Sequence, residues 1–198
     1  MKFDLGHVKV HKRSGLPHWN IQHGIYFITF NLFDAIPRYI RERLLEEAEA
    51  RKRTADEQDI QQWLHKQVDK ALDDDYGSCF MRNPRVASIV AGAIQHFDGS
   101  RYELLTWCVM PNHIHVVTTL AGGERIDSVI HSWKSFSSKA ANKVLNRVGP
   151  FWQEDYFDHT IRNSRELRNT VEYVMNNPAK AGLRDWPFAR LYPERIPI

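Results

Sequence analysis

The spacing of apolar residues divides the chain into two kinds of segment. Strands are predicted at 25–32, 102–110 and 113–120, and a short strand or extended piece at 151–161, because β-branched and aromatic residues are concentrated there. Helices are predicted where apolar residues recur at helical spacing, at 38–75, 84–97, 126–145 and 163–177. The polar stretch 51–59 indicates either a turn that divides the first helical segment or a continuous exposed helix. The last helix is expected to stop near Asn177-Pro178, because the residue before a proline is disfavoured in helical conformation.

The order of these segments predicts an α+β fold. It contains the ferredoxin-like β-α-β-β-α-β unit, whose sheet is antiparallel, and we expect the helices to pack on one face. The segment 38–75 is then a long helical insertion after the first strand, and the helix at 163–177 follows the core unit. This predicts three parts: an N-terminal basic arm at 1–24, a single domain at 25–183 and a C-terminal tail at 184–198.

Helical phase indicates which side chains are buried. Trp133 and Phe136 fall on the apolar stripe of the helix at 126–145 and are expected in the core. On the last helix the stripe consists of Leu167, Val171, Val174 and Met175. At about 100° per residue, Tyr173 and Asn177 lie together on a flank away from that stripe. The helix is therefore expected to present a phenol and an amide side by side.

Composition and charge narrow the class of protein. The chain has 198 residues, enough for one domain with a sizeable core, and no apolar run long enough to cross a membrane. Two cysteines are too few for a disulfide framework or a four-cysteine zinc site, and an intracellular protein is expected. The net charge is only +3, but the N-terminal arm and the last third are basic, which suits a polyanionic partner as well as an ordinary solvated surface.

The sequence His113-Ile114-His115 lies in a predicted strand. Alternate side chains of a strand share one face, so the two imidazoles lie together and can bind one metal ion. With the amide oxygen of Asn177 they would leave open positions on the ion for a phosphate oxygen. Tyr173 beside that phosphate could attack its phosphorus and form a phosphotyrosine. Other interpretations stay open: a His-x-His pair can be structural, Asn177 can serve only to end the helix, and Tyr156 is a rival nucleophile.

Four motifs resemble a known family: WCVMPNHIHVV at 107–117, SWKSF at 132–136, FWQEDYFDHTIR at 151–162 and EYVMNNPAKAGL at 172–183. In this order they resemble the single-tyrosine HUH transposases, and within them the REP-associated tyrosine transposases. The resemblance implies a ferredoxin-like enzyme that cleaves and rejoins single-stranded DNA beside a hairpin. It further implies a homodimer acting on DNA in the bacterial cytoplasm, at the nucleoid.

Carried over by residue, the resemblance makes Tyr173 the nucleophile and His113, His115 and Asn177 the metal ligands. The family and phosphoryl chemistry indicate Mg²⁺ or Mn²⁺, although imidazole ligands also suit zinc. Charge alone suggests three DNA-backbone contacts, Lys134, Lys139 and Arg162.

Two other functions remain as alternatives. One is a domesticated protein that binds repeat hairpins without cleaving them. The other is an unrelated zinc hydrolase, which would need a metal-activated water and no tyrosine.

Overall fold

The computed structural model describes residues 8–13, 16–21 and 24–197. Strands β1 (Val8–Arg13) and β2 (Leu16–Ile21) pair antiparallel within the predicted arm, whose residues 1–7, 14–15 and 22–23 lie outside the described ones. The other strands are β3 (Ile25–Asn31), β4 (Tyr102–Val109), β5 (His113–Leu120), β6 (Phe157–Ile161) and β7 (Ala189–Leu191). They form one antiparallel sheet in the order β6-β3-β5-β4-β7.

The described residues contain five α-helices: α1 (Arg38–Arg51), α2 (Glu57–Asp73), α3 (Pro84–Gln95), α4 (Ile126–Val144) and α5 (Ser164–Lys180). The polar stretch between α1 and α2 is a turn and not a continuous helix, because Asp56 caps α2 by accepting a hydrogen bond from the Asp59 backbone N–H at 2.8 Å. Among the described helices, none is long and apolar enough to span a bilayer. The predicted ferredoxin-like unit is confirmed as β3-α3-β4-β5-α4-β6.

The helices cover both faces of the sheet. On one face, α3 and α4 pack against a large apolar core that includes Ile114 and Val116 of β5. On the other face, α5 packs against a smaller cluster that includes Phe27 and Val117. The expectation that all helices share one face is therefore wrong for α5. Its apolar stripe finds the first face already covered by α3 and α4, so it packs on the opposite one.

Two expectations about helical residues are also wrong. Phe136 is 61% exposed on α4, because Trp133 and its neighbours already fill the space against the sheet. Helix α5 continues past Asn177, and Pro178 lies inside it. It ends instead at Lys180, and Gly182, two residues later, has a φ of +69° that allows the Leu183 N–H to bond the carbonyl of Pro178 at 2.9 Å in a Schellman motif.

The segment predicted as a C-terminal tail contributes to the sheet. Strand β7 pairs antiparallel with the edge of β4, and the indole N–H of Trp186 donates to the Val109 carbonyl at 2.6 Å. The division into arm, domain and tail stays a prediction.

Candidate active site

The two histidines of β5 point to the α5 face of the sheet and are buried. Their neighbours Ile114 and Val116 point to the opposite core, so the strand alternation places the imidazoles as the sequence predicts. His113 Nε2 and His115 Nε2 lie 3.1 Å apart. Burial lowers the pKa of His113 to about 3 and that of His115 well below its ordinary value, so both rings are neutral near pH 7.

The Nδ1 atom of each imidazole lies within hydrogen-bond distance of a polar side chain. Asn112 donates its side-chain N–H groups to the carbonyls of Leu72 and Tyr76, so its Oδ1 faces His113 Nδ1 at 2.7 Å and must accept from it. A neutral His113 with its proton on Nδ1 carries its lone pair on Nε2, where it can accept from His115 Nε2 or bind a metal ion. His115 Nδ1 lies 2.8 Å from the hydroxyl of Thr29, which can act as donor or acceptor.

This donor set fits a divalent ion. Two nitrogens about 2.0–2.1 Å from one ion, at 90–109° to each other, lie roughly 2.8–3.4 Å apart, a range that contains the separation of the two Nε2 atoms. Imidazoles that bind metal usually have the other nitrogen held by such partners. Among the described residues no cluster of three or more His, Cys, Asp or Glu side chains can hold an ion. Asn177 as the third ligand stays a prediction.

Tyr173 and Asn177 lie one helical turn apart on α5 and face the sheet. The Tyr173 ring meets the His115 ring edge-on at a centroid distance of 5.3 Å, and Asn177 is only 2% exposed. The expectation that this flank points away from the core is wrong, because Phe27 and His115 provide a surface on which the phenol packs. The Asn177 side chain hydrogen-bonds Tyr173 and partly offsets the rise that burial causes in the pKa of the phenol, so the two side chains lie side by side, and their shared role in a site stays a prediction.

The insertion helix α2 supplies two residues that the sequence did not indicate. The Tyr173 hydroxyl donates to Asp69 Oδ2 at 2.9 Å, and His65 Nε2 lies 3.4 Å from the same oxygen. His65 stacks on Phe157 with centroids 3.7 Å apart, and burial lowers its pKa to about 3. No local pattern marks Asp69, because its partner is 104 residues away in the chain.

Tyr173 lines a groove of about 940 Å³ between α2 and α5. Four exposed basic residues also line it: Lys66, Lys70, Arg162 and Arg165. At the start of α5, Asn163 caps the helix, and Glu166 accepts the Arg162 backbone N–H at 2.8 Å and contacts His159 Nε2 at 2.7 Å. These bonds hold the start of α5, which borders the groove, in place.

The three basic residues predicted to contact DNA lie in different places. Arg162 lines the groove beside Tyr173. Lys134 and Lys139 belong to α4, on the other face of the sheet. The Lys134 ammonium donates to the carbonyls of Gln153, Glu154 and Asp155, which makes it a support for that loop. DNA contact by these residues stays a prediction.

The histidine pair is closed off from solvent in this conformation. His113 is 2% exposed and His115 is not exposed at all, with Tyr173 and α5 packed over that face. A phosphate oxygen that approaches Nε2 of either ring therefore requires Tyr173 or α5 to move.

Similarity to known proteins agrees with this geometry. Residues 81–177 match the family model described as Transposase IS200 like, a segment that includes the histidine pair, Tyr173 and Asn177. Over 96 residues the chain is 30% identical to the REP-associated tyrosine transposase of Escherichia coli strain K12. That match covers 46% of this chain and 55% of the relative, so the chain spans about half of the relative's length.

The fold is shared with a solved structure. A REP-associated tyrosine transposase bound to a REP hairpin aligns with 89% of this chain and 82% of its own, at a TM-score of 0.57 and 20% sequence identity. The resemblance that the motifs predicted is thus confirmed: residues 81–177 match the IS200-like transposase model, and the chain is similar to REP-associated tyrosine transposases.

Proposed function

We propose that the chain is a metal-dependent tyrosine transposase that cleaves and rejoins single-stranded DNA beside a hairpin. One observation carries the proposal. The Tyr173 ring contacts His115, which with His113 forms a pair of neutral, buried imidazoles whose Nε2 atoms are 3.1 Å apart. A relative of known structure binds a REP hairpin, which indicates the class of DNA.

Tyr173 is the proposed nucleophile. Its oxygen would attack the scissile phosphorus, the bond from phosphorus to the 3′ oxygen would break, and the 5′ phosphate would remain on the tyrosine. The reverse reaction with a new 3′-OH would rejoin the strand. The pKa of Tyr173 is raised above its ordinary value, mainly by burial and then by Asp69, so the phenol needs a proton acceptor when it attacks.

His113, His115 and Asn177 are the proposed ligands of Mg²⁺ or Mn²⁺. When bound, the ion supplies polarisation of the scissile phosphate and neutralises charge that develops on its oxygens. The protein's own contribution is to hold the imidazoles neutral and oriented, through Asn112 behind His113 and Thr29 behind His115.

The groove between α2 and α5 is the proposed DNA path. Its exposed basic residues would contact the sugar-phosphate backbone and make binding dependent on salt. Of the predicted contacts, Arg162 is the one that lies in this groove. A homodimer, with the site within one chain or shared between two, is part of the same proposal and is tested by light scattering with and without DNA.

The test is covalent capture. The full chain is incubated with a hairpin-bearing single-stranded oligonucleotide and Mn²⁺, and adducts are resolved on a denaturing gel. We expect an adduct with the native chain, none with Tyr173→Phe, and an undiminished one with Tyr156→Phe, which removes the rival hydroxyl. The metal ligands are tested in the same way with His113→Ala.

The outcomes separate the candidate functions. Absence of any adduct, with hairpin binding that survives His113→Ala and Tyr173→Phe, would favour a binding protein without cleavage. Zinc-dependent turnover that persists in Tyr173→Phe would favour a hydrolase. An adduct that survives Tyr173→Phe would contradict the assignment of the nucleophile.

A further inference from the structure

The residue that contacts the Tyr173 hydroxyl directly is a carboxylate from the helical insertion. Asp69 Oδ2 accepts its hydrogen bond at 2.9 Å, while Asp69 Oδ1 is buried without a hydrogen-bond partner. The Asp69 side chain is 14% exposed and lines the same groove as Tyr173. Helix α2 precedes residues 81–177, so the family match assigns Asp69 no role.

We propose that Asp69 is a further catalytic residue, the general base that takes the proton of Tyr173 when the phenol attacks DNA. The proposal rests on the proposed function, because it needs Tyr173 as the nucleophile. A general base must lie within hydrogen-bond reach of the proton that it abstracts, and among the described residues Asp69 is the carboxylate that bonds this hydroxyl.

The step balances in both directions. In cleavage, the Tyr173 oxygen forms a bond to phosphorus while its proton passes to Asp69 Oδ2. The electron pair of the broken bond goes to the 3′ oxygen, which takes a proton from solvent water. In rejoining, a 3′-OH attacks the phosphorus and loses its proton to solvent, and the bond from phosphorus to the phenol oxygen breaks. The protonated Asp69 returns its proton to that oxygen, as microscopic reversibility requires.

The surroundings of Asp69 suit this exchange. Burial raises its pKa to about 7, against the effect of the Tyr173 hydrogen bond and with a smaller rise from Asp73. A base with a pKa near the working pH is both available and strong enough to act. Without burial a carboxylate would be too weak a base for a phenol.

Among the described neighbours of Asp69, none carries a charge close enough to keep the carboxyl permanently charged or permanently protonated. His65 is neutral and lies 3.4 Å away without hydrogen-bond geometry, and Cys108 on β4 is a buried thiol. Asp73 lies one turn along α2, where the Lys180 ammonium partly offsets its charge. The same ammonium lies 5.3 Å from the centre of the Tyr173 ring, and His159 lies beyond His65.

The experiment compares the rate of adduct formation in native chain, Asp69→Asn and Asp73→Asn, with hairpin oligonucleotide and Mn²⁺ from pH 5 to 9. Asparagine has the shape of aspartate and can still accept the Tyr173 hydrogen bond, but it cannot take a proton. We expect Asp69→Asn to lower the rate about 100-fold or more at pH 7.5. Asp73→Asn, a matched change on the same helix, should stay near the native rate.

The pH profile distinguishes a base from a structural residue. The native rate should rise with pH and level off above about 7, whereas the residual rate of Asp69→Asn should keep rising as hydroxide replaces the lost base. An Asp69→Asn rate that equals or exceeds the native rate, or that falls while keeping the native pH profile, would overturn the proposal.

Failure of the two proposals can be told apart. A native adduct that disappears in Tyr173→Phe but forms at the native rate in Asp69→Asn would overturn the base and leave the proposed function intact. No adduct from the native chain would overturn both. A melting temperature of Asp69→Asn no lower than native confirms that a slow variant is folded.

Discussion

The two faces of the central sheet differ in what they bury. On the α3 and α4 face, Ile114 and Val116 contribute to an apolar core that also contains Trp133. On the α5 face, the same strand contributes His113 and His115, packed with a tyrosine and an amide. Because alternate side chains of β5 point to opposite faces of the sheet, this one strand contributes to both the apolar core and the histidine pair.

The α3 and α4 face stabilises the fold, whereas burial of polar groups on the α5 face lowers its stability. Burial of apolar surface on the first face stabilises the folded state, and the residues buried there are mainly apolar. On the second face, desolvation disfavours the charged forms of His113, His115 and Asp69, and a hydrogen-bond acceptor of Asp69 is left unpaired. Groups that are costly to bury and that meet in one place indicate a site of chemistry.

The largest expected effect on stability is on the apolar face. Trp133 is 1% exposed, contacts Phe30 and Tyr102, and donates its indole N–H to the Tyr102 hydroxyl at 2.8 Å. Trp133→Ala should lower the free energy of unfolding by about 3–5 kcal/mol in urea titrations. Phe136→Ala, on the exposed side of the same helix, should change it by less than about 0.5 kcal/mol. Similar losses from both would contradict the difference in burial.

On the other face, removal of a buried charge should stabilise the protein. Folding raises the pKa of Asp69 from 3.8 to about 7, so the unfolded chain loses this proton at lower pH than the folded one. Stability linked to Asp69 is therefore present below pH 4 and is lost as pH rises to about 7. Asp69→Asn should raise the free energy of unfolding at pH 8 by about 1–4 kcal/mol, and by much less at pH 4.

Thermal unfolding at the two pH values measures this difference directly. Asp73→Asn is the control, because Asp73 is less deeply buried and Lys180 offsets its charge. A destabilised Asp69→Asn at pH 8 would show that the carboxylate stabilises the fold in its charged form.

A smaller effect is expected where Thr29 holds His115. Thr29→Val removes the hydroxyl 2.8 Å from His115 Nδ1 and should weaken Mn²⁺ binding about 10–100-fold in calorimetry. Thr106→Val removes another buried hydroxyl, which donates to the Arg190 carbonyl at 2.9 Å and not to an imidazole, and should leave Mn²⁺ affinity unchanged. Equal affinity in all three proteins would argue against a metal site on this face.

The smallest expected effect concerns the DNA path. Arg162→Gln, in the groove, should weaken hairpin binding several-fold and reduce the slope of log affinity against log salt by about 1. Lys139→Gln removes an exposed charge on α4, behind the sheet, and should leave both quantities unchanged. Fluorescence anisotropy at several salt concentrations provides the measurement. The reverse pattern would place the DNA on the α4 side.

The sequence predicts the sheet and its helices because their signals are local. Alternation places the two histidines on one face, and the cap at Asn163 marks the start of α5. The end of α5 is predicted less well than its start, because the prediction uses Pro178 as the helix end and misses the role of Gly182. A proline near a helix end removes only one backbone hydrogen bond, whereas the positive φ of Gly182 closes the last turn.

The site is less predictable than the fold because its contacts join distant parts of the chain. Helical spacing predicts that Tyr173 and Asn177 lie on one side of α5. It does not predict that this side packs against the sheet. The contact of Asp69 with Tyr173 depends on how α2 packs against α5. In the sequence of α2, Asp69 is only one of several charged residues beside an apolar stripe. Strand β7, with three residues, carries too short a pattern to be recognised.

The central claim is that Tyr173 becomes joined to DNA. The most direct measurement is mass spectrometry of the peptides left after the native chain has reacted with a hairpin oligonucleotide and Mn²⁺ and the DNA has been digested. The account predicts a nucleotide attached through a 5′ phosphate to Tyr173, and none in Tyr173→Phe. Attachment at Tyr156, or an unmodified Tyr173 in a preparation that cleaves the DNA, would contradict it.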